Sequence, residues 1–167
     1  MASFLLIPYG NASRRDDGVA FHIARRLLER LGLEAEDVEG TSTYDVHDGL
    51  TIMGVHQLAP ELAQDLAEVD VVVFIDAHVP GMAWDDVHWE RIEGELRPSM
   101  VTHLLKPESV LALCEALYQR SPKAYVLSVL GTDFDFGMAL SEQAQALVDP
   151  AVDKVLDLMG LSESPEV

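Results

Sequence analysis

Two aspartates stand where apolar runs end. Asp17 follows Ser3-Phe4-Leu5-Leu6-Ile7 after a short loop, Gly10-Asn11-Ala12-Ser13-Arg14-Arg15, and Asp76 closes the run Val71-Val72-Val73-Phe74-Ile75. A charged carboxylate at the end of so apolar a stretch is costly to bury unless it is paired or holds a metal ion. As neighbouring parallel strands, the two runs would deliver both carboxylates to one edge of a sheet, and two converging acids call for a cation. His103, in a stretch that reads as a loop, can fold over that edge and add a nitrogen to the two oxygens. A mixed set of this kind suits nickel, zinc or iron better than calcium or magnesium, whose ligands are usually all oxygen. Three protein ligands leave room for water or substrate to complete the shell.

The same residues have plainer readings. Asp16 and Asp17 lie where acids commonly cap a helix or complement its dipole. Asp76 can cap the turn toward Pro80, and a lone loop histidine is usually solvated. His56, His78 and His88 are alternative ligands that the pattern places no better than His103.

The elements that must position these residues follow from periodicity. The first apolar run predicts a strand ending at Pro8; Val19, Ile23, Leu27 and Leu31 recur every four residues and predict a helix from Asp17 to Leu31. Thr41 to Asp48 has no clear pattern. Leu50 to Val55 reads as a second strand, followed by a short helix with Leu58, Leu62 and Leu66 on one side and Pro60 in its first turn. Val69 to Ala77 is apolar enough to be a central parallel strand, buried on both faces. Weak alternation from Trp89 to Leu96 predicts an edge strand, and Pro98 to Lys106 a loop. Pro107 opens a helix whose buried side is expected to hold Val110, Leu111, Cys114, Leu117 and Tyr118. Ala124 to Leu130 is a further strand, and Ser141 caps a helical stretch to Met159 that is either two helices or one kinked at Pro150. Strands alternating with helices predict an α/β three-layer sandwich, a largely parallel twisted sheet of about five strands with helices on both faces. Residues 1–160 are expected to form a single domain and 161–167 a polar tail.

Composition narrows the function. A net charge of -18, with 11 basic against 29 acidic residues, leaves no basic face for a phosphate backbone, so no nucleic-acid partner is expected. Cys114 is the sole cysteine, which excludes an intramolecular disulfide, fits a reducing compartment and predicts a small packed hydrophobe. No apolar stretch approaches the roughly 20 residues that span a bilayer, and the first run is too short for a signal-peptide core. The expectation is a cytoplasmic protein without a membrane partner, and a monomer. The Gly10 loop is neither GxGxxG nor a P-loop, no HExxH occurs, and neither Ser128 nor Cys114 sits in a nucleophile elbow.

Taken together, Gly10-Asn11, Arg14, Asp16-Asp17-Gly18, Gln57 to Ala63, Val73 to Ala77, His103 with Pro107, and Gly131 to Ser141 resemble the hydrogenase maturation endopeptidases. The resemblance runs in order over roughly residues 3 to 158. It implies an α/β hydrolase that removes the C-terminal peptide of a nickel-iron hydrogenase large-subunit precursor once nickel is inserted. Asp17, Asp76 and His103 fall on the positions of that family's metal-sensing residues. Nickel would then come with the substrate precursor, no organic cofactor would be needed, and a carboxylate could activate the attacking water. Gly10, Asn11 and Gly18 would form a substrate loop, with Gly10 allowing close approach of the partner's peptide. The Gln57 to Ala63 segment is more similar to members serving cytoplasmic, cofactor-reducing hydrogenases. A non-catalytic checkpoint or chaperone-like binder of the same precursor is the alternative. Departures cluster in the first loop: Pro8 and Arg15 stand where the family has Gly, as does Ala20, and Met138 stands where Glu is frequent.

Overall fold

The computed structural model describes residues 2–34, 42–46, 49–95 and 105–161. His103 lies outside the described residues, as do most of the expected loop before Pro107 and all but the first residue of the expected tail.

Among the described residues six strands form one sheet: β1 Phe4–Pro8, β2 Ser42–Val46, β3 Leu50–Gly54, β4 Val71–His78, β5 Val87–Ile92 and β6 Lys123–Leu130. Their spatial order is β2-β3-β1-β4-β6-β5. The four central strands are mutually parallel, whereas β2 and β5 close the two edges antiparallel to β3 and β6. The largely parallel three-layer sandwich expected from the alternation of elements is therefore present. Its sixth strand, β2, comes from the stretch without periodicity, where pairing to β3 supplies what the side-chain pattern does not. The expected edge strand starts two residues earlier than Trp89 and ends at Ile92.

Helices α1 Val19–Arg30 and α4 Glu142–Met159 cover one face, and α2 Leu62–Leu66 and α3 Pro107–Tyr118 the other. Phe21 centres the first core layer and Phe74 the second, both fully buried. Residues pointing to opposite faces alternate along β1, so Leu6 joins one layer while Leu5 and Ile7 join the other.

Pro107 occupies the first turn of α3, where its missing N–H has no helical partner to lose. Val110, Leu111 and Cys114 are buried as expected, and the Cys114 thiol donates to the Arg120 carbonyl. Leu117 and Tyr118 correct the expectation, being 65% and 45% exposed. The last turn of α3 ends at the left-handed Gln119 (φ 55°), just before the chain turns back into β6. Pro60 precedes α2 instead of opening it. Ser141 caps α4, its hydroxyl accepting from the Ala144 N–H at 3.2 Å, and α4 runs continuously through Pro150. Val148, Ala151 and Val152 bury one side there while Asp149 and Asp153 pair with Arg26 and Arg30 of α1.

Candidate functional site

The site is built from the loop after β1. Gly10 has φ 138°, and a Cβ there would lie 2.2 Å from the Asp17 carbonyl oxygen. Gly18 is equally constrained, since its Cβ would lie 2.8 Å from the Ala12 Cα. Both glycines fold the loop onto itself. The close approach at Gly10 is to this chain's own Asp17, and Gly10 and Asn11 line the pocket beside that carboxylate. Asn11 then donates its backbone N–H to Asp17 Oδ2 at 2.9 Å, while its side-chain oxygen accepts from the Ser13 N–H.

The adjacent acids have separate tasks. Asp16 is fully buried and caps neither the 3-10 helix Arg15–Gly18 nor α1. Its carboxylate accepts from the backbone N–H groups of Thr132, Asp133 and Ser141 and from the Ser141 hydroxyl, at 2.7–3.0 Å. Burial alone would raise its pKa, but the bonds from Ser141, Thr132 and Asp133 outweigh burial and hold it below the ordinary value. The expected helix cap is instead a staple between the first loop and the entry to α4. The arginines reinforce it: Arg14 Nε donates to the Phe134 carbonyl and Arg15 Nε to the Ala139 carbonyl, with Arg15 also paired to Asp133. Arg15 has φ 44°, in the region glycine favours, which accounts physically for glycine being suited to that position.

Asp76 is placed by register. Pro8 pairs with Ile75, Asp76 pairs with Ser128, and the Tyr9 N–H donates to the Ile75 carbonyl at 3.0 Å. The Tyr9 hydroxyl reaches Asp76 and donates to Oδ2 at 2.9 Å. Oδ1 is buried without a hydrogen-bond partner among the described residues. Burial pushes the Asp76 pKa up to about 6; the Ser128 and Tyr9 hydroxyls act against burial, the Asp17 charge adds to it and His88 opposes it. Ser128 flanks the carboxylate from β6 and lowers its pKa as a hydrogen-bonding neighbour, and its hydroxyl also lies 2.9 Å from His78 Nδ1. Burial and the neighbouring carboxylate hold Tyr9 well above its ordinary range, so it remains a donor.

Asp17 and Asp76 line one pocket of about 270 Å³, together with Tyr9, Gly10, Asn11, His56, Gln57, Leu58, Ala77 and Leu105. A wider groove of about 620 Å³, lined by Ile92, Gly94 and Leu111 among others, contains no histidine and no buried carboxylate. Of the described histidines, only His56 lines the Asp17–Asp76 pocket. His78 is buried edge-on to Trp84, and Trp84 stacks on His88 at 3.8 Å. Among the described residues no group of three or more His, Cys, Asp or Glu side chains is arranged to hold a metal. The structure therefore brings Asp17 and Asp76 together, and His103 is outside its description. A bare buried carboxylate oxygen beside a second, repelling carboxylate is nevertheless a donor pair that a divalent cation fits, since the cation satisfies the oxygen and offsets the repulsion. Tyr9 and the Asp16 staple were not readable beforehand; the one signal for Tyr9 was a hydroxyl-bearing side chain between the strand-ending Pro8 and Gly10.

The sheet with four parallel central strands, helices on both faces and acids at its carboxyl edge is a fold this chain shares with solved hydrogenase maturation endopeptidases. The chain superposes on the hydrogenase maturating endopeptidase HybD from E. coli with a TM-score of 0.69 at 20% identity, covering 95% of this chain and 92% of that one. For the [NiFe] hydrogenase maturation protease HybD from Thermococcus kodakarensis the TM-score is 0.62 at 21% identity, covering 93% and 98%. For HycI from Thermococcus kodakarensis it is 0.64 at 16%, covering 95% and 93%. No protein-family model matches the chain, and no curated protein matches it significantly.

Proposed function

We propose that this chain is an endopeptidase that trims the C-terminal extension of a nickel-iron hydrogenase large-subunit precursor after nickel insertion. The observation that carries the reading is the shared pocket of Asp17 and Asp76, with Asp76 Oδ1 buried and bare. The fold shared with HybD and HycI, which are named as hydrogenase maturation proteases, supports it. In this reading Asp17, Asp76 and His103 recognise the nickel carried by the substrate, and that contact fixes the neighbouring peptide bond over the pocket. A carboxylate then accepts a proton from water as the water attacks the scissile carbonyl. The partner is the precursor, the metal is delivered with it, and the enzyme works as a cytoplasmic monomer. No helix among the described residues is long and apolar enough to cross a membrane.

Incubation with a nickel-loaded precursor, followed by its C-terminal mass, tests the proposal: a shortened precursor is expected, and an unchanged mass with the cognate precursor overturns it. Tight precursor binding without shortening would instead favour a non-catalytic checkpoint binder. The altered first loop, with Pro8 and Arg15 in place of glycines, is the observation that favours this second reading.

A further inference from the structure

Tyr9 is the one side chain with a proton-bearing hydroxyl against the Asp76 carboxylate from the β1 side, and its place is determined twice. Pro8 ends the pairing of β1 with β4 opposite Ile75, and the Tyr9 N–H then donates to the Ile75 carbonyl. The backbone next to Asp76 is therefore pinned before the side chain makes any contact. The hydroxyl then engages Oδ2 at 2.9 Å, and Oδ1 keeps no hydrogen bond among the described residues. A carboxylate with two bare oxygens can rotate and bind a cation through either one or both. With one oxygen held, it presents a single donor in one orientation.

From this geometry we infer that Tyr9 is a positioning residue for Asp76, its hydroxyl holding Oδ2 so that Oδ1 is the oxygen left to ligate a divalent cation. The inference rests on reading the pocket as a cation site, and it deepens that reading by assigning the two oxygens of one carboxylate to different tasks. Groups that hydrogen-bond a metal ligand in this way orient it, and losing one typically weakens metal binding by roughly 10–100-fold. A phenylalanine keeps the ring and its packing while removing only the donor.

The experiment compares the full-length parent with Tyr9→Phe. Cd²⁺ alone is titrated into each by calorimetry, thermal melting is recorded, and crystal structures are determined without and with Cd²⁺. The expected result is an affinity reduced by roughly tenfold or more at a nearly unchanged melting temperature. In the metal-free variant the Asp76 carboxylate should be rotated or occupy two conformers. Equal affinity, or an Asp76 carboxylate in the parent's pose, overturns the inference, as does a lowered melting temperature with unchanged affinity. Cd²⁺ bound by the parent through Asp76 Oδ2 also overturns it, and so does a parent that binds no Cd²⁺, which removes the cation site itself. A parent that binds Cd²⁺ at Asp76 but leaves nickel-loaded precursor uncut overturns the proposed protease activity alone. A parent that cuts the precursor, beside a Tyr9→Phe protein with full affinity, overturns the role of Tyr9 alone.

Discussion

At Asp76 three influences meet in one carboxylate: burial, the Asp17 charge and the hydroxyls of Tyr9 and Ser128. Its folded pKa of about 6 lies above the ordinary 3.8, so on acidification the folded protein takes up this proton before the unfolded chain does. The contribution of this group to stability is therefore complete below pH 3.8 and is lost as the pH rises through about 6. At neutral pH the ionised, half-bare carboxylate is a standing penalty. Asp76→Asn is accordingly expected to be at least as stable as the parent at neutral pH, and to lose the component of the stability profile between 3.8 and about 6; chemical unfolding across that range measures both. Because the Asp17 charge raises the Asp76 pKa, Asp17→Asn should move the Asp76 titration below about 6, which carboxyl carbon NMR reads directly. In the proposed protease, Asp17→Asn, Asp76→Asn and His103→Ala should each abolish precursor shortening while circular dichroism stays native. Full activity in any one removes that residue from the site.

The elements around the site are held by Asp16 more than by either helix end. One buried carboxylate gathers the backbone N–H groups of Thr132, Asp133 and Ser141, joining the loop after β1 to the start of α4. Asp16→Ala leaves those donors without an acceptor, and at about 1–3 kcal/mol for each buried group left unsatisfied the loss should reach about 3 kcal/mol or more. Denaturant titration checks the magnitude, and a change below about 1 kcal/mol would mean that water replaces the carboxylate without penalty. The depressed Asp16 pKa gives the opposite pH sign to Asp76. Its stabilisation is present above the ordinary 3.8 and is lost as the pH falls through the lower folded value. The acid limb of the unfolding profile should therefore be shallower in the variant. Arg15 belongs to the same device: its left-handed backbone is strained for a side chain, and its bonds to Ala139 and Asp133 offset that strain.

Across the whole molecule the charge of -18 is the dominant long-range term, and self-repulsion of that size opposes compactness. The ion pairs joining α1 to α4 through Arg26 and Arg30 are partly exposed and contribute little each. Screening should thus relieve more repulsion than it weakens attraction, and the melting temperature should rise as salt is increased from low to physiological strength. A fall on adding salt would show that the α1 and α4 pairs outweigh the net charge.

Much of this architecture was legible in the chain itself. The apolar runs ending at Ile7 and Ile75 specified central parallel strands because a strand buried on both faces has no place for polar residues, and the four-residue spacing from Val19 specified α1. That same logic put Asp17 and Asp76 at one edge, where they line one pocket. Local pattern could not reveal β2, whose pairing with β3 lies in backbone hydrogen bonds, or the exposure of Leu117 and Tyr118, which depends on what the fold packs against the end of α3. It also could not separate Asp16 from Asp17. Adjacent in sequence and identical in type, they differ only in what the fold brings to them: four donors from a loop more than a hundred residues away for Asp16, and an open pocket for Asp17. Side-chain chemistry and periodicity are written locally, and so the sequence determined which groups and elements exist. Partners distant in the chain are set by register and packing, and so only the tertiary structure decided which carboxylate became a staple, and which one Tyr9 would hold.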